Sequence, residues 1–118
     1  MIQITEPEMV VMLQIICSEL NALYPDMEFF MYDDFTISSR RYSERVVSGE
    51  FKIKVEYSSP AQIWWMNVAM QNIPGVPWIS DGFQFNSQQV FETMDTFMGI
   101  VHNSKTNANT ELVENSLQ

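Results

Sequence analysis

Cysteine, histidine, glycine and basic residues are all scarce in this 118-residue chain, and each scarcity removes a class of function. The single cysteine, Cys17, cannot form an intramolecular disulfide, so the fold must be held by packing. The single histidine, His102, excludes a His-rich metal site. Gly49, Gly75, Gly82 and Gly99 are the only glycines and lie far apart, which leaves no Gly-rich loop to cradle a phosphate. Six Lys and Arg stand against fifteen Asp and Glu, a net charge of −9. Generic nucleic-acid binding needs the opposite balance, because it works by displacing counterions with a basic footprint.

Targeting signals are missing too. The opening Met-Ile-Gln-Ile-Thr-Glu has no basic stretch ahead of an apolar one, so no secretory signal is expected. Tyr57 to Ser80 is the longest stretch free of charge. Pro60, Gln62, Asn67, Gln71, Asn72, Pro74 and Pro77 interrupt it and disqualify it as a membrane span. No Asn-x-Ser/Thr sequon occurs. The expectation is a cytoplasmic protein with a reduced Cys17 and no cofactor.

What is present is a globular composition, 46% hydrophobic and 18% charged. A chain of this length buries roughly two-thirds of its unfolded surface, enough for one core. The expected organisation is a single globular α+β domain over 1–102, followed by a polar, Asn-rich, flexible tail over 103–118.

Thr5-Glu6-Pro7-Glu8 has the spacing of a capping box, with Pro7 tolerated in the first turn. Met9, Met12, Leu13, Ile16, Leu20 and Leu23 follow at helical spacing until Pro25. Val10, Val11, Ile15 and Cys17 make this helix apolar off that face as well, so it needs cover on more than one side. Met27–Tyr32 and Phe35–Ile37 read as strands with a turn at Asp33-Asp34. Strict alternation over Glu50–Tyr57 predicts a strand wet on one face. Ser48-Gly49 would join it to a strand over Tyr42–Val47.

Ser59-Pro60-Ala61-Gln62 repeats the helix-start pattern and predicts a second helix to Asn72, with a buried strand over Ile63–Met70 as the alternative. Asp81-Gly82 reads as a hairpin turn between Trp78-Ile79 and Phe83–Phe85. Val90, Phe91, Met94, Phe97, Met98 and Val101 predict a third helix that frays near Asn103. The fold class that results is α+β. It has an N-terminal helix, an antiparallel sheet of three to four strands, and two further helices packed on one face.

Charge is unevenly distributed. Residues 1–39 carry seven acids and no base, residues 40–56 five bases and three acids, and residues 57–118 five acids and Lys105. Nearly all basic charge therefore falls on the expected hairpin, either as a recognition patch or as protection of an outer strand.

No catalytic constellation emerges. Cys17 lies in an apolar stretch, and His102 at a helix end suits the helix dipole without a chemical role. Asp26, Glu28, Asp33 and Asp34 match no metal-loop spacing. Arg40, Arg41 and Arg45 have the chemistry to grip a phosphate or carboxylate. Trp64, Trp65, Trp78, Phe83 and Phe85, beside Met66 and Met70, suit a core, a protein interface or a ligand pocket.

By elimination, the expectation is a non-catalytic acidic module that binds another protein and masks a basic surface on it, as an inhibitor or adaptor. The binding residues would be Trp64, Trp65, Trp78, Asp33, Asp34, Arg40 and Arg41. A homodimer through Val10, Val11 and Ile15 would cover the surplus apolar face of the first helix. The alternative is a binder of small apolar or cationic ligands through a Trp/Met-rich pocket. No metal, membrane or direct nucleic-acid partner is expected.

Overall fold

Thr5 begins the first helix as its spacing predicts. In the computed structural model, which describes residues 3–39, 50–71 and 75–116 and side chains up to Val101, the Thr5 Oγ1 accepts the Glu8 N–H at 3.3 Å. Its hydroxyl donates to Glu8 Oε1 at 2.8 Å. Helix α1 then runs Glu6–Leu23. Met9, Leu13, Ile16, Cys17 and Leu20 line its buried face. It closes where the Tyr24 N–H donates to the Leu20 carbonyl, ahead of a 3-10 turn over Pro25–Met27.

Five strands follow among the described residues as an antiparallel sheet in the order β1-β2-β3-β4-β5. They are β1 Phe29–Asp33, β2 Thr36–Ser39, β3 Glu50–Ser58, β4 Ile63–Gln71 and β5 Ile79–Gln84. The Asp33-Asp34 turn is as expected. Asp33 Oδ1 accepts the Phe35 N–H at 2.9 Å, a side-chain bond that favours a tight reversal. The alternation expected in β3 is there, with Phe51, Ile53 and Val55 buried and Lys52, Lys54 and Glu56 exposed. The strand expected over Tyr42–Val47, its Ser48-Gly49 turn, and Arg40, Arg41 and Arg45 lie outside the described residues.

The sequence expectation needs two corrections. The segment expected as a second helix to Asn72 takes its alternative form, strand β4, so the described residues hold five strands rather than three or four, and one further helix rather than two. Residues 59–62 are the connection between β3 and β4, and Gln62 turns it with a φ of 55°. All nine residues of β4 pair with β3, from Ser58 opposite Ile63 to Glu50 opposite Gln71. The second correction concerns Asp81-Gly82, which lies within β5 opposite Val68 and Asn67 rather than at a turn.

Helix α2 spans Ser87–Ser116, its backbone continuing past Asn103, where the expected fraying would end it. Its start is capped by Asn86, whose Oδ1 accepts the Gln89 N–H at 3.2 Å.

Both helices cover one face of the sheet. α1 lies over β1 and β2, and α2 over β4. The single core joins Met9, Leu13 and Leu20 from α1 with Val90, Met94, Phe97 and Val101 from α2. The inner-face residues Phe29, Ile37, Phe51, Ile53, Met66, Val68 and Met70 complete it. Each such side chain, taken fully out of water, contributes about 1.5–3 kcal/mol. Among the described residues no helix covers the opposite face of the sheet.

The two edges of the sheet are built differently. On β1, the Asn21 side chain reaches from α1 and pairs with both backbone groups of Phe29. Its Oδ1 accepts the Phe29 N–H at 2.7 Å, and its Nδ2 donates to the Phe29 carbonyl at 2.8 Å. A register shift between Met31 and Asp33 further breaks that edge. No side chain among the described residues does the same for β5.

Candidate interaction surfaces

The sheet's alternation separates the aromatic residues. Trp64 and Trp65 are neighbours in β4, so their side chains leave on opposite faces. Trp64 points inward and is buried. Its indole N–H donates to the Ile4 carbonyl at 2.8 Å, and its ring packs 5.2 Å from Tyr57 and 5.8 Å from Phe35. These contacts tie the segment before α1 to the sheet. Met66 and Met70 are fully buried on the same side. Trp65 stands on the helix-free face, 45% exposed. Trp78 precedes β5 and is exposed.

The tryptophans therefore do not line one cavity. The recess beside Trp64, lined by Ile4, Tyr57, Gln62, Ile63 and Phe85, holds about 110 Å³. Sites for drug-sized ligands run to roughly 300–1,000 Å³.

Trp65 lies over Gly82 of the neighbouring strand. A Cβ added at Gly82 would meet the indole Nε1 at 2.9 Å and its six-membered ring at 3.1 Å. This explains a glycine in the middle of a strand: the indole occupies the space a side chain would fill. The helix-free face also holds Tyr32, with Lys52 Nζ 5.9 Å from its ring centroid, and Lys54, whose Nζ pairs with Glu56 Oε1 at 2.8 Å. The Glu56 hydrogen bond and charge hold the Lys54 ammonium above its ordinary range against slight desolvation, with a further push from Asp33. Asp33, Asp34, Phe35, Thr36, Lys54 and Glu56 line an open hollow at this end of the sheet.

None of the compared family models, curated proteins or solved structures matches the chain.

The helical side has a different character. Val11 and Ile15, one turn apart on α1, are each 53% exposed on the side away from the sheet, whereas Val10 is half-buried at the flank. Exposed Glu8 and Glu19 border them one turn away on either side, and no Lys or Arg occurs in residues 1–39. Lys52 and Lys54, the lysines whose side chains are described, both lie on the helix-free sheet face. They share that face with Glu50 and Glu56, so among the described residues it is mixed in charge, whereas the described part of α1 carries acids only. The pattern of acids is visible in sequence, but the placement of the lysines needs the register of β3.

Among the described residues, no three His, Cys, Asp or Glu side chains are grouped to hold a metal ion. No helix among them is long and apolar enough to cross a membrane. Cys17 is buried against the core, and burial pushes its thiol above the ordinary 9.0. Tyr24 is likewise raised, first by burial and then by the charge of Asp95. In both cases the folded chain holds the proton more tightly than the unfolded chain. The resulting stabilisation is complete below the unfolded pKa and is lost as pH rises through the folded one. The melting temperature should accordingly hold steady from neutrality and begin to fall above about pH 9. Cys17→Ala should delay that fall until tyrosine titrates, as scanning fluorimetry across pH would show. An unchanged profile in the variant would remove Cys17 as the cause.

Proposed function

We propose that this chain is a non-catalytic protein-binding module, working in the cytoplasm, whose acidic helical side docks on a basic surface of its partner and masks it. The observation that carries this reading is the exposed Val11–Ile15 pair on α1, bordered by Glu8 and Glu19 in a stretch without a single cation. Exposed apolar side chains ringed by like charge suit a partner with apolar contacts inside a basic rim. The same acidic border disfavours a homodimer through Val10, Val11 and Ile15, because two copies would set Glu8 and Glu19 against equally acidic surfaces.

A photo-crosslinking residue placed at Val11 or Ile15 in the full chain tests this in its native cells. The expected result is one discrete adduct with another protein, reduced several-fold by Glu8→Gln with Glu19→Gln. In extracts the adduct should also weaken at about 0.5 M salt, where screening shortens to a few ångströms. An adduct with a second copy of the chain would make the patch a self-association surface and overturn the partner. No adduct from either position would overturn the module.

A further inference from the structure

A different element, the open edge of β5, carries an inference that stands apart from the α1 surface. The Phe85 N–H donates to the Trp64 carbonyl at 2.8 Å, so residue 85 forms a hydrogen-bonded pair with residue 64. Counting back along the antiparallel register, residues 83, 81 and 79 also direct their backbone groups to β4. Ser80, Gly82 and Gln84 direct theirs away from the sheet. Those outward groups have no partner among the described residues. On the opposite edge, Asn21 and the register shift close β1. Among the described residues the β1 edge is therefore clamped at Phe29 and broken at its bulge, whereas the β5 edge is open.

The side chains of β5 specify what the open edge admits. On the inner face stand Ile79, Asp81 and Phe83 in a row, opposite Met70, Val68 and Met66 of β4. Because α2 lies over β4, Ile79 remains 45% exposed and Asp81 is exposed beside it. Asp81 makes no ion pair or hydrogen bond among the described residues. An inward-facing charge on an edge strand bars apolar strands, because they would bury the charge without a partner. It also bars a second copy. Pairing β5 with β5 about a two-fold axis keeps the inner faces together, setting the two Asp81 carboxylates directly opposite or one diagonal step apart.

We propose that the β5 edge binds an extended cationic peptide segment of a partner as a sixth, antiparallel strand, with an Arg or Lys opposite Asp81 and apolar residues opposite Ile79 and Phe83. The position opposite Asp81 is a non-hydrogen-bonded pair, the kind in which cross-strand side chains approach most closely. The backbone of the added strand bonds Ser80, Gly82 and Gln84, and its outer-face residue opposite Gly82 leans on the Trp65 indole. Main-chain bonds then supply affinity, and the alternate side chains supply selection.

The probe is the peptide acetyl-Thr-Val-Thr-Arg-Thr-Val-Thr-amide, titrated into the full-length protein and followed by amide and indole NMR. The expected result is shifts and slowed exchange at Ser80, Gly82 and Gln84, with a shift of the Trp65 indole N–H. The same peptide with Glu in place of Arg should bind at least about tenfold more weakly, as like charges across a strand pair repel. Asp81→Lys should reverse that preference, and Asp81→Asn should erase it. Ser80→Pro removes an outward donor at a position where an edge strand tolerates proline, so it should abolish binding while the core resonances stay in place. Shifts confined to α1, equal binding of the Arg and Glu peptides, or no shift at millimolar peptide would each overturn the proposal. So would β5 amides already protected in the free protein by a dimer. None of these outcomes bears on the crosslinking result at Val11 and Ile15, so the two readings fail separately.

Discussion

Phe51→Ala should lower the unfolding free energy by about 3–5 kcal/mol, a large part of the total stability of a domain this size. Phe51 is the largest fully buried side chain among the described residues. It lies on β3, the central strand, with its ring 6.1 Å from that of Phe29. Truncation removes the transfer energy of the ring and leaves a cavity in the core beside Phe29, where regular strands on both sides limit collapse. The backbone around it is also committed, since the Phe51 N–H donates to the buried Ser39 Oγ at 2.8 Å. Urea unfolding of Phe51→Ala, Phe51→Leu and Lys52→Ala measures the effect. Phe51→Leu should lose clearly less, and Lys52→Ala, one residue away on the exposed face, should change little. Equal losses at Phe51 and Lys52 would mean that the helix-free face is as buried as the core.

Asn21→Ala should cost about 2–4 kcal/mol, since it removes two hydrogen bonds and leaves a partly buried N–H and C=O of Phe29 without partners. The side-chain amide of Asn21 takes the place a neighbouring strand would have, so its loss both weakens the attachment of α1 to β1 and exposes a strand edge. Asn21→Asp separates the two roles. It keeps the acceptor for the Phe29 N–H, loses the donor, and brings a charge next to the Phe29 carbonyl, so it should not restore stability. Faster exchange of the Phe29 amide in Asn21→Ala, together with concentration-dependent association, is the expected signature. A variant with wild-type stability and a protected Phe29 amide would show that water replaces the clamp without loss.

The fold was legible in sequence where local chemistry and burial agree. Thr5 and Glu8 mark the start of α1 because the cap is satisfied within one turn. Phe51, Ile53 and Val55 mark β3 because charged residues alternate with them. In β4 the period of two is equally strict, with Trp64, Met66, Val68 and Met70 inward, but Ile63, Trp65 and Ala69 on the other face erase the polar contrast. Met, Ala and Gln also favour helix, and Ser59 with Gln62 imitates a capped start, so local preference pointed away from the structure that tertiary pairing selects. Asp81-Gly82 misleads for a related reason. The dipeptide is a strong hairpin signal, yet this glycine serves the Trp65 indole across a strand pair, a contact between residues 17 positions apart that no local pattern encodes.

Of the candidate site, the acidity of α1 was readable, and helical spacing set Val11 and Ile15 off the buried face; it set Val10 and Cys17 there too, yet Val10 is half-buried and Cys17 joins the core. The residues named around the tryptophans were not a unit. Trp64 belongs to the core, Trp65 to the far face, and Trp78 to the approach to β5. The importance of the β5 edge was hidden in sequence, because it depends on which strand ends the sheet, on where α2 stops covering it, and on Asn21 closing the other side.

The strand order has a consequence for how the chain finds its structure. Every pairing among the described strands joins strands consecutive in that order, so none of these ladders needs a crossover. The β3–β4 hairpin combines nine paired positions, the longest ladder among the described strands, with a short reversal over residues 59–62. It can zip from its turn outward, bringing Phe51, Ile53, Met66 and Val68 onto one face. That face is then a template on which the flanking strands and the two helices condense, from the centre of the chain toward both ends.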